Sequence, residues 1–437
     1  MKNITIITTF RDALEAYSLN RIVINQLKMF IKAGYKIKVV VAKGFKPEGL
    51  YAHEQVECVE IPDVPVSNQM GIDKTFDEDV ESLRNAFKDI LADCDTAITH
   101  DIIYQPAAIK HNVALRTLIL DDTSIKTKFL HWIHSATQPA KLSSIRGGTE
   151  KYLKSFEIPF PRSFYITFNE YSVPRVAKWF NVEESMVKYV PHPHDFFEYK
   201  EEITERISEA YNILSKDVIC MYPVRLDRGK QPHFVVEIMA QVKKTGKSVA
   251  CIIADFHSTG GDKVVYREEM KEAGIQLGLS ENDLIFLSEF EPSEGEKYRA
   301  ELPHKVIQEL FELTNVFILP SKSETYSLIA QEAIVKRNFV ILNQDFPPFR
   351  SIYGDAPLYR KFSSAMDALT ADDGETNTEY SDRQGYLHDI ACYINYALTQ
   401  TRVLALNDKI RKERNLMTVF KNNIEPLIYA NPGKFNY

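Results

Sequence analysis

The sequence alternates short apolar segments with longer amphipathic ones, and this alternation constrains the fold more than any other feature. Residues 3–8 form an apolar segment, residues 18–33 place apolar side chains on one face of a helix, and residues 36–41 are apolar again. Gly34 lies between the last two segments and suits a helix end, because glycine readily adopts the left-handed conformation found there. Strands that alternate with helices predict a mostly parallel sheet with helices on both faces.

The same alternation runs along the chain and starts again after about residue 200. It predicts further strands at 56–61, 96–99, 116–120, 129–133 and 164–167 in the first half, and at 218–221, 248–253, 284–287, 316–319 and 339–342 in the second. Helices are predicted to begin at His233, Glu268, Leu302 and Tyr326. Pro191 and Pro193 interrupt any regular element between the two halves and mark the joint.

We therefore predict an α/β protein of two Rossmann-like, doubly wound parallel-sheet domains that face each other across a cleft. Residues 1–195 form the first domain, residues 196–400 the second, and residues 401–437 a helical segment that packs back on the first. A length of 437 residues suits two domains of about 200 residues each. A cleft between domains is the usual place for a ligand.

Composition and charge argue against several other classes of protein. The formal charge of −7 disfavours a large nonspecific nucleic-acid surface, and no run reaches the roughly 18 apolar residues of a membrane span. The N-terminal residues form a predicted first strand and lack the cleavage site of a signal peptide. The five cysteines show no CxxC or Cys/His ligand spacing, so we expect buried, reduced thiols, a cytoplasmic protein and no metal site.

Two carboxylates follow the predicted strand 316–319. Ser323 is the expected N-cap of the next helix, Glu324 lies near its first-turn amides, and Glu332 follows about two turns later, so it can share a face with the helix start. Open parallel sheets bind ligands at the carboxyl ends of their strands, which makes this a candidate binding site. The alternative is that both carboxylates are solvated, with Glu324 complementing the helix dipole.

Two cations follow the predicted strand 218–221. A guanidinium and an ammonium, those of Arg225 and Lys230, are groups that bind anionic oxygens. The alternative is a solvated cluster that includes Asp227.

Together these motifs resemble the GT-B fold glycosyltransferases, most closely the retaining family numbered four. The resemblance spans nearly the whole chain but is specific mainly in its second half. One motif that carries it is the pair Glu324 and Glu332, which are separated by seven residues; Glu324 ends the pattern Pro-Ser-x-x-Glu, and Glu332 is followed by Ala333. The other is Val224-Arg225-Leu226 with Lys230, which is similar to the family's Gly-Arg-Leu and its following lysine. Weaker similarities lie at Asn169-Glu170, Val190-Pro191-His192 and Phe286-Leu287-Ser288.

The resemblance implies a transferase that uses a nucleotide-sugar donor, retains the anomeric configuration, and needs no metal or other cofactor. It places Glu332 on the donor ribose and Glu324 on the donor sugar, with Arg225 and Lys230 on the diphosphate. The backbone amides of Tyr326, Ser327 and Leu328 are expected to face the sugar or phosphate, and Ser288 also belongs to the expected donor site. The acceptor, on the first domain, is left open as a glycan, glycolipid, protein or modified DNA.

In the first domain the resemblance places His134 beside a sugar hydroxyl, with His131 as the competing candidate on the other face of the strand. His100 and Asp101 end another strand and are candidates for the acceptor side. The first loop lacks the paired glycines common in the family, so we expect either that Thr9 and Arg11 contact the ligand through their side chains or that the acceptor is unusual. Glycines are also replaced after Lys230, by Gln231, and after Glu324, by Thr325-Tyr326-Ser327.

Three other functions remain open from the sequence. A DNA-modifying glycosyltransferase would need a polyanion-binding patch, for which the candidates are Lys110, Arg116, Arg146, Lys151 and Lys154, and it would have to flip its target base. A sugar-nucleotide 2-epimerase shares the fold but requires further acid and base groups. The third is an inactive binding subunit. Four cations near the C-terminus are expected to be solvated: Lys409, Arg411, Lys412 and Arg414.

Overall fold

The computed structural model describes residues 2–14, 16–64, 73–134, 159–256, 261–291, 302–322, 324, 326–362 and 383–432. These residues form two compact units. One unit comprises Met1–Asp195 and Arg414–Tyr437, and the other comprises Phe196–Glu413. The chain therefore leaves the first unit after Asp195, at the proline-rich joint, and returns to it at Arg414, the last residue of the helix Arg402–Arg414.

The first unit contains a parallel sheet of seven described strands. In chain order they are β1 Ile4–Ile7, β2 Ile37–Ala42, β3 Val56–Ile61, β4 Thr96–His100, β5 Lys128–Trp132, β6 Ser163–Thr167 and β7 Val187–Tyr189. Their order in the sheet is β3-β2-β1-β4-β5-β6-β7, so the direction of winding reverses between β1 and β4. In β5, Leu130 and Trp132 pack into one core and Phe129 into the other, as expected for a sheet covered on both faces.

The second unit repeats this topology with six described strands. They are β8 Val218–Pro223, β9 Val249–Ala254, β10 Leu284–Phe286, β11 Val316–Leu319, β12 Phe339–Asn343 and β13 Leu358–Arg360. The order β10-β9-β8-β11-β12-β13 reverses between β8 and β11, and all pairs are parallel. Two doubly wound parallel sheets are thus confirmed, and in each the reversal opens a crevice at the carboxyl ends of the strands.

Helices connect the strands in both units. Those of the first unit are α1 Ser18–Lys32, α2 Phe76–Leu91, α3 Ile109–Asp121 and α4 Val173–Phe180. Those of the second are α5 Glu202–Ala210, α6 Pro232–Lys244, α7 Gly261–Gln276, α8 His304–Leu313, α9 Leu328–Val335, α10 Pro348–Tyr353, α11 Arg383–Gln400 and α12 Arg402–Arg414. The chain then forms α13 Leu416–Val419, a π-helical turn Phe420–Ile424 and α14 Glu425–Tyr429, which return to the core of the first unit.

One predicted strand is wrong. Residues 116–120 lie in α3, in which nearly every position from Ile109 to Ile119 is buried. A helix buried on all sides has no polar face, so its short apolar run cannot be distinguished from a strand by periodicity. The pattern also missed β7 and β13, which are three-residue strands at the edges of the sheets. Among the described residues, no helix is long and apolar enough to cross a membrane.

Candidate functional site

The candidate site of the second unit is built on the loops that follow β8 and β11, the two strands between which the winding reverses. Tyr222 is almost fully buried at the end of β8, and its hydroxyl donates to the Lys230 carbonyl at 2.9 Å and pairs with Ser321 Oγ at 3.1 Å. Lys322 donates its backbone N–H to the Gly229 carbonyl at 2.9 Å. These bonds hold the two loops together from beneath.

Lys230 and Glu324, which belong to these two loops, form an ion pair. The Lys230 ammonium lies 2.6 Å from Glu324 Oε1, with 30% and 16% of the two side chains exposed. The pair joins the cation motif to the carboxylate motif, two segments that are 94 residues apart in the sequence. A partly exposed ammonium at a strand end suits an anionic ligand, and the carboxylate beside it can accept hydrogen bonds from hydroxyl groups.

Arg225 lies at the other end of the same loop and is more open. Its side chain is 64% exposed, and its Nε lies 3.8 Å from Asp227 Oδ2, which is a weak, solvent-screened contact. Arg228, in contrast, donates to both carboxylate oxygens of Glu269 and lies over the ring of Tyr266. Of these two arginines, Arg225 is therefore the one more available to a ligand.

The helix after Glu324 begins later than the sequence predicted. Ser323 lies outside the described residues, and the N-cap is Ser327, whose Oγ accepts from the Ala330 N–H at 3.3 Å. Glu324 therefore lies in the loop before the helix and not beside its first turn. Leu328, the first helical residue, is 67% exposed. Tyr326 is also exposed, and its hydroxyl accepts from Gln331 Nε2.

Two of the positions at which the sequence replaces a glycine of the resembled family have left-handed backbone. Gln231 has φ 52° and Ser327 has φ 66°. Side chains with a Cβ rarely adopt this conformation, which glycine adopts freely. The backbone conformation that glycine adopts freely is thus present at these two positions without a glycine.

Glu332, on α9, contacts a histidine of α8 that the sequence analysis did not indicate. Its Oε1 is 2.9 Å from Nε2 of His304, the first residue of α8, and 24% of the Glu332 side chain is exposed. Gln308, one turn further along α8, lies 3.4 Å from the same imidazole nitrogen. The carboxylate is therefore accessible but already oriented.

Ser288 uses its polar atoms within the protein. Its N–H and Oγ both donate to the buried carboxylate of Asp255, at 3.0 and 2.6 Å, and the Oγ accepts from Arg267 Nη1 at 3.1 Å. Arg267 also lies 3.3 Å from Glu289. This network follows β9 and β10, and it fixes the backbone at the end of those strands.

In the first unit, His134 belongs to a cluster of rings at the ends of β4 and β5. Its Nε2 is 2.8 Å from His100 Nδ1, and its ring stacks near Phe168 and His192. Its backbone N–H donates to Asp101 Oδ1 and to the Tyr104 hydroxyl. Burial, together with His192, lowers the pKa of His134 to about 3, so the imidazole is neutral at physiological pH.

His131 lies on the opposite face of β5 and is fully buried. Its two ring nitrogens pair with Thr99 Oγ1 at 2.7 Å and Ser163 Oγ at 3.0 Å, which is the arrangement of a core histidine. In the first loop, Thr9 is half-buried, and Arg11 forms an ion pair with Asp63 at 2.7 Å.

Two of the five candidates for a polyanion-binding patch are buried and cannot form such a surface. Lys110 is buried and forms ion pairs with Asp73 and Asp79, and Arg116 is buried with its guanidinium over the Phe160 ring. The other three candidates, Arg146, Lys151 and Lys154, lie outside the described residues. Both basic side chains lie inside the first unit because the segment that carries them is a buried helix.

The prediction of a solvated C-terminal cluster is also wrong at Arg411. Only 2% of this residue is exposed, and its guanidinium donates to the carbonyls of Ile213, Leu214 and Lys216. Five donors in a planar fork allow one arginine to satisfy several main-chain acceptors, which is why this cation is buried.

Sequence reasoning missed the residues that support the site. Tyr222 and Ser321 read as ordinary strand and turn residues. Asn343, whose Nδ2 donates to the Ser321 carbonyl at 2.9 Å, is the last residue of β12 and lies 22 residues after Ser321 in the sequence. In retrospect, polar residues at the ends of apolar strands were the available signal. Within the described ranges, no group of three or more His, Cys, Asp or Glu side chains is arranged to hold a metal ion.

Solved structures to which this chain is similar include glycosyltransferases. A glycosyltransferase from Rickettsia africae is 15% identical, with 98% of this chain and 95% of that chain covered and a TM-score of 0.33. Sucrose-phosphate synthase from Thermosynechococcus elongatus is 16% identical, with 98% and 96% covered and a TM-score of 0.34. HepE from Anabaena, solved with UDP, is 14% identical, with 98% and 99% covered and a TM-score of 0.31. No family model and no curated protein matches the sequence. The fold assignment rests on the strand order of the two sheets.

Proposed function

We propose that this protein is a retaining glycosyltransferase that moves a hexose or pentose from a nucleotide-sugar to an acceptor without a metal ion. The observation that carries the proposal is the 2.6 Å contact of Lys230 with Glu324 at the reversal point of the second sheet. It places an ammonium group, which can bind phosphate, beside a carboxylate, which can bind hydroxyl groups, at the edge of the sheet where open parallel sheets bind ligands.

In this proposal each charged group acts where charge changes during transfer. Lys230 and Arg225 stabilise the diphosphate as it departs, and Glu324 accepts hydrogen bonds from the sugar and opposes the positive charge that develops at the anomeric carbon. Glu332, on the adjacent helix, accepts from the ribose hydroxyls. The two cations supply the charge that a metal ion supplies in other transferases. The acceptor attacks from the face that the diphosphate leaves.

The test is turnover of a panel of nucleotide-sugars with simple sugar and glycolipid acceptors, in EDTA. Loss of a preorganised charge-stabilising group lowers kcat by about 10²–10³-fold, and we expect Lys230→Ala to do so. Lys305→Ala is the matched control, because Lys305 forms an exposed pair with Glu201 in the same unit. An anomeric proton spectrum of the first product shows whether the configuration is retained. Equal rates for Lys230→Ala and the control would contradict the proposal.

A second candidate, a sugar-nucleotide 2-epimerase, is favoured by one observation. His100, His134 and His192 lie with Asp101 at the strand ends of the first unit, and burial raises the pKa of Asp101. An epimerase needs such acid and base groups. The two functions separate in a reaction without acceptor: an epimerase converts UDP-N-acetylglucosamine to its 2-epimer, whereas a transferase leaves the sugar configuration unchanged.

We also propose that the protein works in the cytoplasm. Its five cysteines are all unpaired, three of them buried and one exposed, as in a reducing compartment. Detection of the native protein in the cytosolic fraction, with its thiols reduced, would support this location.

A further inference from the structure

The strongest additional feature is a chain of three hydrogen-bonded side chains in the first unit. Gln26 lies on α1, His100 ends β4, and His134 follows β5. Gln26 Oε1 is 2.9 Å from His100 Nε2, and His100 Nδ1 is 2.8 Å from His134 Nε2. His100 therefore uses both ring nitrogens, one toward each neighbour.

The orientation of the Gln26 amide fixes where the protons lie. Its Oε1 faces the His100 ring, while its Nε2 is buried and has no hydrogen-bond partner among the described residues. An amide oxygen only accepts, so His100 Nε2 carries the proton and donates to Gln26. A neutral imidazole has one N–H, so His100 Nδ1 is an acceptor, and His134 Nε2 must donate to it. His134 then has no proton on Nδ1, which presents a lone pair.

The surroundings keep this arrangement neutral and rigid. Gln26 and His100 are 2% and 4% exposed, and burial lowers the pKa of His100 well below its usual value. Among the described residues, the charged or titratable groups near the pair include Asp101 and Tyr104, which both accept from the His134 backbone N–H, and His192, whose ring is 6.0 Å from that of His134. Burial also lowers the pKa of His192, to about 4.

His134 differs from His100 in being partly exposed. Its Nε2 is committed to His100, and among the described residues none hydrogen-bonds to its Nδ1. A lone pair on a fixed, neutral ring accepts from a hydroxyl and repels the lone pairs of a carbonyl, an ether or a carboxylate.

We propose that Gln26 is a positioning residue that, through His100, sets the tautomer of His134 so that its Nδ1 accepts a hydrogen bond from a substrate hydroxyl. The recognition of a sugar hydroxyl rests on the proposed function, whereas the tautomer does not. Gln26 acts through two other side chains and touches no substrate itself.

Two substitutions reverse the proton positions in a predictable way. In Gln26→Glu the added carboxylate stabilises a second proton on His100, which is taken from solvent and binds to Nδ1. His100 Nδ1–H then donates to His134 Nε2, and the proton of His134 moves from Nε2 to Nδ1. In Gln26→Met, His100 Nε2 loses its acceptor, and a buried unpaired N–H is costly. His100 then takes the Nδ1–H tautomer, and His134 again carries its proton on Nδ1.

The experiment is a long-range ¹H–¹⁵N spectrum of the full chain labelled at histidine, with the His134 signals assigned from His134→Gln. In the wild type we expect the unprotonated nitrogen of His134 to be Nδ1, and in Gln26→Glu and Gln26→Met to be Nε2. Asn25→Asp is the control, since it adds a charge to the neighbouring position of α1 and should leave the wild-type pattern. A protonated Nδ1 in the wild type, or an unchanged pattern in both Gln26 variants, would overturn the proposal.

Enzyme kinetics separate this inference from the proposed function. If the protein transfers sugar, both Gln26 variants should raise KM for the substrate whose hydroxyl His134 binds by about tenfold, while Asn25→Asp leaves it unchanged. An unchanged KM with the expected tautomers would overturn the recognition half of the proposal and leave the transferase intact. Absence of any transfer, with the expected tautomers, would overturn the proposed function and the hydroxyl recognition that rests on it, while the tautomer assignment would stand.

Discussion

Removal of a single buried hydroxyl tests how the candidate donor site is held together. In Tyr222→Phe the ring still packs in the core, but the Lys230 carbonyl loses its donor and Ser321 Oγ loses a partner. An unpaired buried polar group costs about 1–3 kcal/mol. We therefore expect the free energy of unfolding to fall by about 1–3 kcal/mol, seen as a lower urea midpoint with an unchanged slope.

The same substitution should weaken ligand binding, because Tyr222 ties the loop of Lys230 to the loop that leads to Glu324. If about 1 kcal/mol of this loop ordering must be recovered on binding, Kd for a nucleoside diphosphate rises about fivefold. Calorimetric titration measures this directly. Tyr199→Phe is the control, since Tyr199 is 83% exposed in the same unit. Wild-type stability and affinity in Tyr222→Phe would refute the structural role assigned to this hydroxyl.

Three further predictions concern buried charge and pH. Arg411→Leu should lower the free energy of unfolding by about 3–5 kcal/mol in chemical denaturation, because Asp408 loses its ion-pair partner and three main-chain carbonyls lose their donor. A loss below about 1 kcal/mol would contradict this. Burial lowers the pKa of His192 to about 4, whereas a histidine in the unfolded chain has a pKa near 6.5, so the folded protein should lose stability as the pH drops below about 6.5. Thermal melts should therefore show a lower melting temperature at pH 5 than at pH 7, and a smaller difference in His192→Phe. Burial opposes the ionisation of Asp217, but hydrogen bonds from Lys412 and Ser248 outweigh it and lower the pKa of Asp217 to about 2. The contribution of ionised Asp217 to the stability of the fold is therefore present above about pH 4 and is lost as the pH falls toward 2. In Lys412→Met, urea midpoints at pH 5 and 3 should differ less than in the wild type, and an equal difference would count against this pair.

Periodicity predicted most strands of the two sheets. Residues 316–319, which are all buried, were predicted at their observed boundaries, and so were residues 56–61, a strand of which only Ile61 is buried. The failure at 116–120 arose because α3 is buried almost all round, so its sequence contains no polar face to reveal the helical period. The edge strand β13 is three residues long, too short for any period to show.

The candidate site was only partly predictable for a different reason. Charged residues in short motifs, such as Lys230 and Glu324, can be recognised in a sequence, and the structure brings these two together. Their supports cannot be recognised, since Tyr222 and Asn343 act through contacts between distant segments. The N-cap at Ser327 was missed because it depends on a left-handed backbone that sequence rules assign to glycine.

The central claim is that Arg225 and Lys230 form a diphosphate site, and calorimetric titration in EDTA tests it most directly. UDP, GDP and ADP are titrated into the wild type, Arg225→Ala, Lys230→Ala and the control Lys305→Ala. We predict saturable binding of one nucleotide that falls at least tenfold in both site variants and is unchanged in the control. No binding by the wild type, or equal affinity in all four proteins, would contradict the account.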